Sequence, residues 1–435
     1  MAPARRIPKD SSGGGSLVDD YVKSVPDDWR HDRLKDVASL RSEKTDEKSS
    51  VEDYLELEDI ESWSMRILNW RNTEEVESAV TKFEKGDVLF GKLRPYLAKV
   101  CRPGKSGKCT GEILAIHPTH IDGGYLQYAL IDPEMIKKCT LFSYGAKMPR
   151  VNWTTQLSTF EIPIPPRPEQ ERIAAFLDEK CATVDKAIEV KRKQLESVEP
   201  QWANLLHNVT LRGIRPSRLQ KTTNVIIEKI PIGWKLKRLR YIGRCQNGIS
   251  KDGQYFGYGF PFVTYGDVYN NMTLPVVASG LVESTEEERI RYSVKRGDVF
   301  FTRTSETADE VGFSSVCLKT IPDATFAGFV IRVRPVTEDL LPEFAQYYFR
   351  NPFVSQYFAK EMMVVTRASL SQDILKSLPV LIPPRDEQAQ IAQYLGERRS
   401  YFDSLSANLR KQIETLEQYR KSLIHEYVTG VRRVV

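Results

Sequence analysis

Cysteine is scarce in this sequence and poorly placed for chemistry. Six cysteines (Cys101, Cys109, Cys139, Cys181, Cys245 and Cys317) are scattered over 435 residues with no Cys-x-x-Cys pair. That spacing suggests neither a disulfide framework nor a zinc finger, and it fits a reducing cytoplasm. Long apolar runs are missing too: none approaches the roughly 18 to 20 residues that a membrane-spanning helix requires, so a soluble chain with no membrane partner is expected. Charge of one sign is not in excess. Lys and Arg number 63 against 58 Asp and Glu, a net of +5, which excludes a blanket polyanion binder and leaves a mild bias towards an anionic partner. The opening MAPARRIPKDSSGGGSL has two arginines but no apolar stretch behind them. Residues 1–16 therefore read as a flexible lead, not a signal. What is present is enough apolar material to fold, 41% hydrophobic and 10% aromatic. At about 150 residues per domain, the length favours two to four globular units.

Motifs for catalysis are also lacking. Gly104-Lys105-Ser106-Gly107-Lys108 is not a phosphate loop, because four residues must separate the first glycine from Gly-Lys. Asn351-Pro352-Phe353 has one proline where a methyltransferase loop carries two, and Tyr255-Phe256-Gly257-Tyr258-Gly259 reads as a turn before it reads as a cofactor strand. His117 and His120 flank Pro118 with no third ligand near in sequence.

The dominant positive feature is an internal repeat. PPRPEQERIAAFL, starting at Pro165, returns as PPRDEQAQIAQYL, starting at Pro383, with Phe176 answered by Tyr394. Val25-Pro26-Asp27-Asp28-Trp29 answers Ile230-Pro231-Ile232-Gly233-Trp234, and Gly86-Asp87-Val88 answers Gly297-Asp298-Val299. The separations Trp29 to Trp234, Gly86 to Gly297 and Pro165 to Pro383 are 205, 211 and 218 residues. This drift places insertions between the Trp and Pro-Pro markers of the second copy. Each half is thus a variable block followed by a shared one.

The shared block predicts a long helix. Pro168 suits a first helical position, and Glu169, Glu171, Asp386 and Glu387 complement the positive helix end. Apolar residues recur at three- and four-residue steps: Val184, Ile188, Leu195, Val198, Trp202 and Leu205, then Phe402, Leu405, Leu409, Ile413, Leu416, Tyr419 and Leu423. This is a seam of coiled-coil type with charges outside it. Two helices of about 40 residues, each about 60 Å long, can bury their stripes on each other; the alternative is that each packs on its own globular block. His207 and His425 hold equivalent helix positions, which points to packing or capping. The variable blocks read as mixed α/β, with β-rich runs at residues 87–90, 299–301 and 328–333 and a helical stretch over 341–358 whose Phe344, Tyr347, Tyr348 and Phe358 form a core face.

Basic residues beside turns are the candidate ligand-binding groups. Residues 86–100, GDVLFGKLRPYLAKV, set Lys92, Arg94 and Lys99 around Tyr96, and Lys147 and Arg150 lie in a second turn-rich stretch. In the second copy Arg303, Thr304 and Ser305 follow the matching GDVFF run, and Arg367 and Ser369 precede the return to Pro383. Arginine with Ser or Thr on a loop suits phosphates and guanine edges, because the planar guanidinium donates two parallel hydrogen bonds.

Taken together, the duplicated IPxPPRxEQxxIAxxL element, GDVLFGKLRPYLAKV, AKMPRVNW (146–153), GDVFFTRTSE (297–306) and VTRASLSQDIL (365–375) resemble the specificity subunit of Type I restriction-modification systems over essentially the whole chain. The resemblance implies a mixed α/β chain with pseudo-twofold internal duplication: two target recognition domains (17–165 and 219–382) joined by two helical regions (166–218 and 383–435) that form an antiparallel coiled coil. It further implies a non-catalytic cytoplasmic subunit that reads a bipartite, asymmetric site in double-stranded DNA. Its implied partners are two methyltransferase subunits and restriction (translocase) subunits, on which S-adenosylmethionine, ATP and Mg would reside. The loops GKLRPY and TRTSE differ, so the two domains are expected to belong to different recognition subtypes. A coiled-coil scaffold that binds only protein and a self-contained methyltransferase or nuclease are the rival readings.

Overall fold

The computed structural model describes residues 25–304, 311–363 and 369–434. The expected flexible lead, the start of the first domain at residue 17, and site candidates Ser305 and Arg367 lie outside the described residues. The chain divides into two compact units, one comprising Met1–Lys193 with Arg410–Val435, the other Gln194–Leu409. Each variable block lies in one unit, and each unit takes one part of both long helices.

Both units are built on the same four-stranded antiparallel sheet. In unit 1 the order is Ala38–Arg41, Ile113–Pro118, Val88–Gly91, Val100–Cys101. In unit 2 it is Gly243–Asn247, Val330–Pro335, Val299–Thr302, Ser314–Val316. The Gly-Asp-Val repeat is the tight turn that starts the third strand. Gly86 and Gly297 take φ values of 101° and 93°, where a Cβ is strained. The following aspartate closes the turn on a backbone N–H, Glu84 N to Asp87 and Lys295 N to Asp298, both at 2.8 Å. Each carboxylate is buried and is held by arginine: Arg41 Nε at 2.7 Å from Asp87, Arg334 Nε at 2.7 Å from Asp298. His117 adds a contact of 2.9 Å to Asp87. Burial pushes the Asp87 carboxyl up, but the hydrogen bonds from Arg41, the Glu84 backbone and His117 outweigh it and leave it below the ordinary carboxylate range.

Beyond that sheet the copies diverge. Unit 1 adds a four-stranded sheet with a small core around Leu55, Ile60, Phe83 and Leu89. Unit 2 adds a three-stranded sheet around Phe262, Phe300 and Phe326. The stretch expected as one helix over 341–358 is two, Pro342–Phe349 and Pro352–Met363. Asn351 breaks it by accepting from Phe353 N at 2.7 Å, and Pro352 opens the second helix at a position that needs no N–H donor. The four aromatics named for its core face are buried.

The shared motif is the dock between each block and its helix. A two-stranded ribbon, Arg30–Arg33 with Glu161–Ile164 or Lys235–Arg238 with Pro379–Ile382, delivers the chain to the Pro-Pro pair. The long helices then run Arg167–Arg212 and Arg385–Val428. The Glu of each PPRxEQ accepts from a distant indole: Trp29 Nε1 to Glu169 at 3.2 Å, Trp234 Nε1 to Glu387 at 2.9 Å. The Gln spans two backbones. Gln170 takes Asp122 N at 2.7 Å and gives to Pro165 O at 2.8 Å; Gln388 takes Leu341 N at 2.8 Å and gives to Pro383 O at 2.9 Å.

Within each unit the two helix segments pack on each other as well as on the block. In unit 1 Ile173, Leu177 and Cys181 share a core with Leu423, Ile424 and Val428, and Phe176 meets Tyr427 at 4.5 Å between centroids. In unit 2 Trp202 meets Phe402 at 5.9 Å and packs on Tyr347. Both pairings join an early residue of one helix to a late residue of the other, so the segments run antiparallel. The seam departs from expectation at one place: Tyr419 is 54% exposed and Arg420 is buried. Arg420 stands five residues before His425, as Trp202 stands five before His207. Its guanidinium reaches Asp185 at 2.9 Å and the carbonyls of Trp63 and Ser64 at 2.5 and 3.1 Å. The two histidines cap the inter-helix corner of a block: His425 Nδ1 lies 2.9 Å from Asp132, and His207 Nδ1 lies 3.1 Å from Asn351.

Candidate nucleic-acid interface

Each sheet's third strand is followed directly by a cation, Lys92 or Arg303, and that cation sits at a junction of three segments. In unit 1, Lys92 N donates to Glu112 O at 3.0 Å and Lys92 O accepts from Val151 N at 3.0 Å. In unit 2, Arg303 N donates to Phe329 O at 3.0 Å and Arg303 O accepts from Leu370 N at 2.8 Å. The next residues close the junction as β-bridges, Leu93 with Arg150 and Thr304 with Ser369. Loops about 60 residues apart in sequence are thereby locked by backbone hydrogen bonds, a geometry that does not depend on their side chains.

The unit 1 junction projects cations outward. Arg94 is exposed and adopts φ 50°, ψ 63°, a left-handed conformation that costs a non-glycine residue about 1 to 2 kcal/mol. The bond from Arg94 N to Pro149 O at 2.7 Å and the turn Pro95–Leu97 hold it there. Tyr96, 45% exposed, and exposed Lys147 lie on the same pair of loops. Tyr144 and Met148 add exposed apolar surface that sequence reasoning did not select. The hairpin that presents them closes on reciprocal bonds between Tyr144 and Arg150, 3.0 and 2.9 Å.

Two candidates have internal work. Lys99 turns inward and gives its ammonium to Leu57 O at 2.6 Å and Ile60 O at 2.7 Å, and burial pushes its pKa down. Arg150 is bound by Glu112, Nε to carboxylate at 3.0 Å, which neutralises much of its charge. Lys92 and Arg94 make no side-chain ion pair among the described residues. In unit 2 the position of Glu112 is taken by Phe329, 65% exposed, and that of Arg150 by Ser369. Ser369 leads into Ser371, whose hydroxyl caps the helix Gln372–Ser377 by accepting from Ile374 N at 3.2 Å. Glu112 and Phe329 were not selected from sequence; the only signal for them is their place on the first residue pair before the second strand. The two junctions thus share a backbone and differ in chemistry: acid, guanidinium and tyrosines in one, exposed phenyl and hydroxyls in the other. Such surfaces suit contact with a grooved polyanion, with cations for phosphates and varied side chains for edges of bases.

No helix among the described residues is long and apolar enough to cross a membrane, and no group of His, Cys, Asp and Glu among them is arranged to hold a metal ion. Known proteins agree on the family. The domain described as Type I restriction modification DNA specificity domain matches residues 26–199 and again 231–418. The specificity subunit of the Type I restriction enzyme EcoKI from Escherichia coli K12 is 24% identical over 67% of this chain and 62% of its own length. The putative MjaX specificity subunit from Methanocaldococcus jannaschii is 26% identical over 51% of each chain. The alignments therefore span between half and two thirds of these relatives. Among solved structures, one from a study of complex assembly and conformational transition of the type I R-M system superposes with a TM-score of 0.72 at 17% identity, covering 93% of this chain and 98% of the other. The HsdS subunit from Thermoanaerobacter tengcongensis superposes at 0.55 with 16% identity, covering 93% and 98%. With the matched domain present twice, once in each half of the duplication, the chain belongs to the family of Type I restriction-modification DNA specificity subunits.

Proposed function

We propose that this chain is the sequence-reading, non-catalytic subunit of a Type I restriction-modification complex, and that each unit reads one half of a bipartite, asymmetric site in duplex DNA. The observation that carries this reading is the pair of junctions at Lys92 and Arg303: identical backbone hydrogen bonding, different exposed chemistry. Lys92, Arg94, Tyr96 and Lys147 in one unit, and Arg303, Thr304 and Ser369 in the other, are the proposed contact residues; Ser305 and Arg367 extend the second set. The long helices with their flanking faces dock two methyltransferase subunits and the restriction subunits in the cytoplasm. In this reading S-adenosylmethionine, ATP and Mg are bound by those partners.

The test is selection of duplexes from a random library by the full chain with its methyltransferase partner. Two short motifs separated by an unspecified spacer are expected, with binding that falls as salt rises. A single uninterrupted motif, or binding indifferent to sequence, would contradict the proposal.

A further inference from the structure

Backbone strain is concentrated in one place. Five non-glycine residues among the described ones adopt positive φ, and four of them, Trp63 (62°), Met65 (62°), Arg94 (50°) and Ala98 (45°), belong to two turns of unit 1. The fifth, Asp323, stands in unit 2. The two strained turns are joined directly, Trp63 N donating to Ala98 O at 3.1 Å. A left-handed backbone is costly for a residue with a Cβ, and it persists only where the surrounding bonds over-determine it. The turn at residues 61–66 closes from Glu61 N to Arg66 O at 2.9 Å, and Arg66 N donates to Ser64 Oγ at 3.2 Å. The turn at 94–98 closes from Leu97 N to Arg94 O at 2.9 Å and from Ala98 N to Pro95 O at 2.8 Å.

The first turn is held by the second long helix. Arg420, buried on Arg385–Val428, gives Nη1 to Trp63 O at 2.5 Å and Nη2 to Ser64 O at 3.1 Å, while Asp185 of the other long helix lies 2.9 Å from the same guanidinium. The next residue, Lys421, sets its ammonium 4.0 Å over the Trp63 ring. A line of short contacts therefore runs from the helix pair through Trp63 to Ala98. Ala98 is one end of the loop that carries exposed Arg94 and Tyr96, and the other end is pinned from Arg94 N to Pro149 O at 2.7 Å. Lys99, next in the chain, is anchored on the segment just before the first turn, at Leu57 O and Ile60 O. Unit 2 is built otherwise at this level of helix: Trp202, which holds the place of Arg420, meets the rings of Tyr347 and Phe402.

We infer that Arg420 is a positioning residue for base reading: by holding the Trp63 turn against Ala98 it fixes the loop at residues 94–98, so that Arg94 and Tyr96 meet the duplex in a single pose. The inference rests on the proposed reading of duplex DNA and adds to it a helix residue that sets the specificity of one half-site without touching a base. A side chain that arrives pre-set discriminates between bases, whereas one on a loosened loop adapts to several. The test is competition between the selected duplex and its single-base substitutions for the full chain with its methyltransferase partner. Arg420→Gln should lower the preference at bases of the unit 1 half-site by about 5- to 10-fold, the coupling of residues in one hydrogen-bonded network, and leave the unit 2 half as in the parent. Arg420→Lys, which still donates to the Trp63 carbonyl, should keep most of the preference. Trp63→Gly meets φ 62° without strain, takes away the ring under Lys421 and frees the turn, so it should relax the same bases without emptying the Arg420 position. In a chain already carrying Arg94→Ala and Tyr96→Ala, Arg420→Gln should lower the preference no further, because the loop then has nothing to aim. Leu423→Ala, which opens a cavity in the unit 1 core three residues along the helix, should lower melting and leave the preference as it was. Unchanged preference in Arg420→Gln or Trp63→Gly, in a variant that still melts cooperatively, would overturn the inference. So would an equal loss from Leu423→Ala, or a further loss in the Arg94→Ala, Tyr96→Ala chain. A parent complex that binds no duplex would overturn the proposed function itself.

Discussion

Units 1 and 2 are two solutions to one backbone. Both use the Gly-Asp-Val turn, both dock an indole on the Glu of PPRxEQ, and both hold the exit of the third strand with the same pair of hydrogen bonds. They differ where side chains meet another surface. Unit 1 fills the helix seam with Arg420 and Asp185, unit 2 with Trp202 and Phe402. Unit 1 closes its corner with a histidine and a carboxylate, unit 2 with a histidine and an amide. A junction fixed by main-chain bonds tolerates change in its side chains, which is what two readers of different sequences require.

The seam is the first place to break the comparison. Trp202→Ala should destabilise unit 2 by about 3 to 5 kcal/mol, because a large buried aromatic leaves a cavity. Hydrogen exchange should show faster opening in residues 194–409 first. Arg420→Ala should act on unit 1 instead, by about 2 to 4 kcal/mol. That is below the full cost of breaking a buried pair because Asp185 is part-exposed. If either variant loosened both units equally, the division of the helices between them would be wrong.

Smaller effects sharpen the contrast at the junctions. Arg94→Ala and Arg303→Ala should each weaken duplex binding. Where the side chain touches a base, one position of the site relaxes at a cost of about 1 to 3 kcal/mol; where it touches a phosphate, the salt slope falls by about 0.9 with preference intact. Relaxed positions should fall in different half-sites for the two variants, which competition against single-base substitutions of the duplex would reveal.

The corner histidines should give the smallest difference, and it depends on pH. The hydrogen bond that the protonated ring of His425 donates to the Asp132 carboxylate raises its pKa against the opposing effect of burial, with Glu134 and Glu426 adding to the rise. A histidine raised in the folded state contributes stability that is fully present below its unfolded value, near 6.5, and lost as pH climbs through the folded value. Melting of unit 1 should therefore fall over that window. Asp132→Asn, which gives unit 1 the amide of unit 2, should flatten the dependence, and Asn351→Asp should introduce one into unit 2. A pH profile untouched by either change would remove the histidine pair from the account.

The repeat, the helices and the β-rich runs were legible because they are local: apolar spacing, Pro-Pro and Gly-Asp-Val act within a few residues. Partners far apart in sequence were not. Nothing near Glu169 announces Trp29, and nothing in an apolar periodicity admits Arg420 to a seam, since its burial rests on Asp185 and two carbonyls of another segment. The same reason separates the site candidates. Lys92, Arg94, Tyr96 and Lys147 gather on one pair of loops, whereas Lys99, drawn from the same run, is spent on carbonyls of residues 57 and 60. A charge beside a turn looks alike in sequence whether it faces solvent or a buried backbone oxygen.

The central claim is that each unit reads one half of the target independently. It is tested most directly by grafting a foreign block across residues 232–380, from the turn before Lys235–Arg238 to the start of Pro379–Ile382, and selecting duplexes for the chimaera with its methyltransferase partner. The account predicts that one half of the selected site changes while the other half stays as in the parent. Both halves changing together, in a chimaera that assembles like the parent, would contradict it.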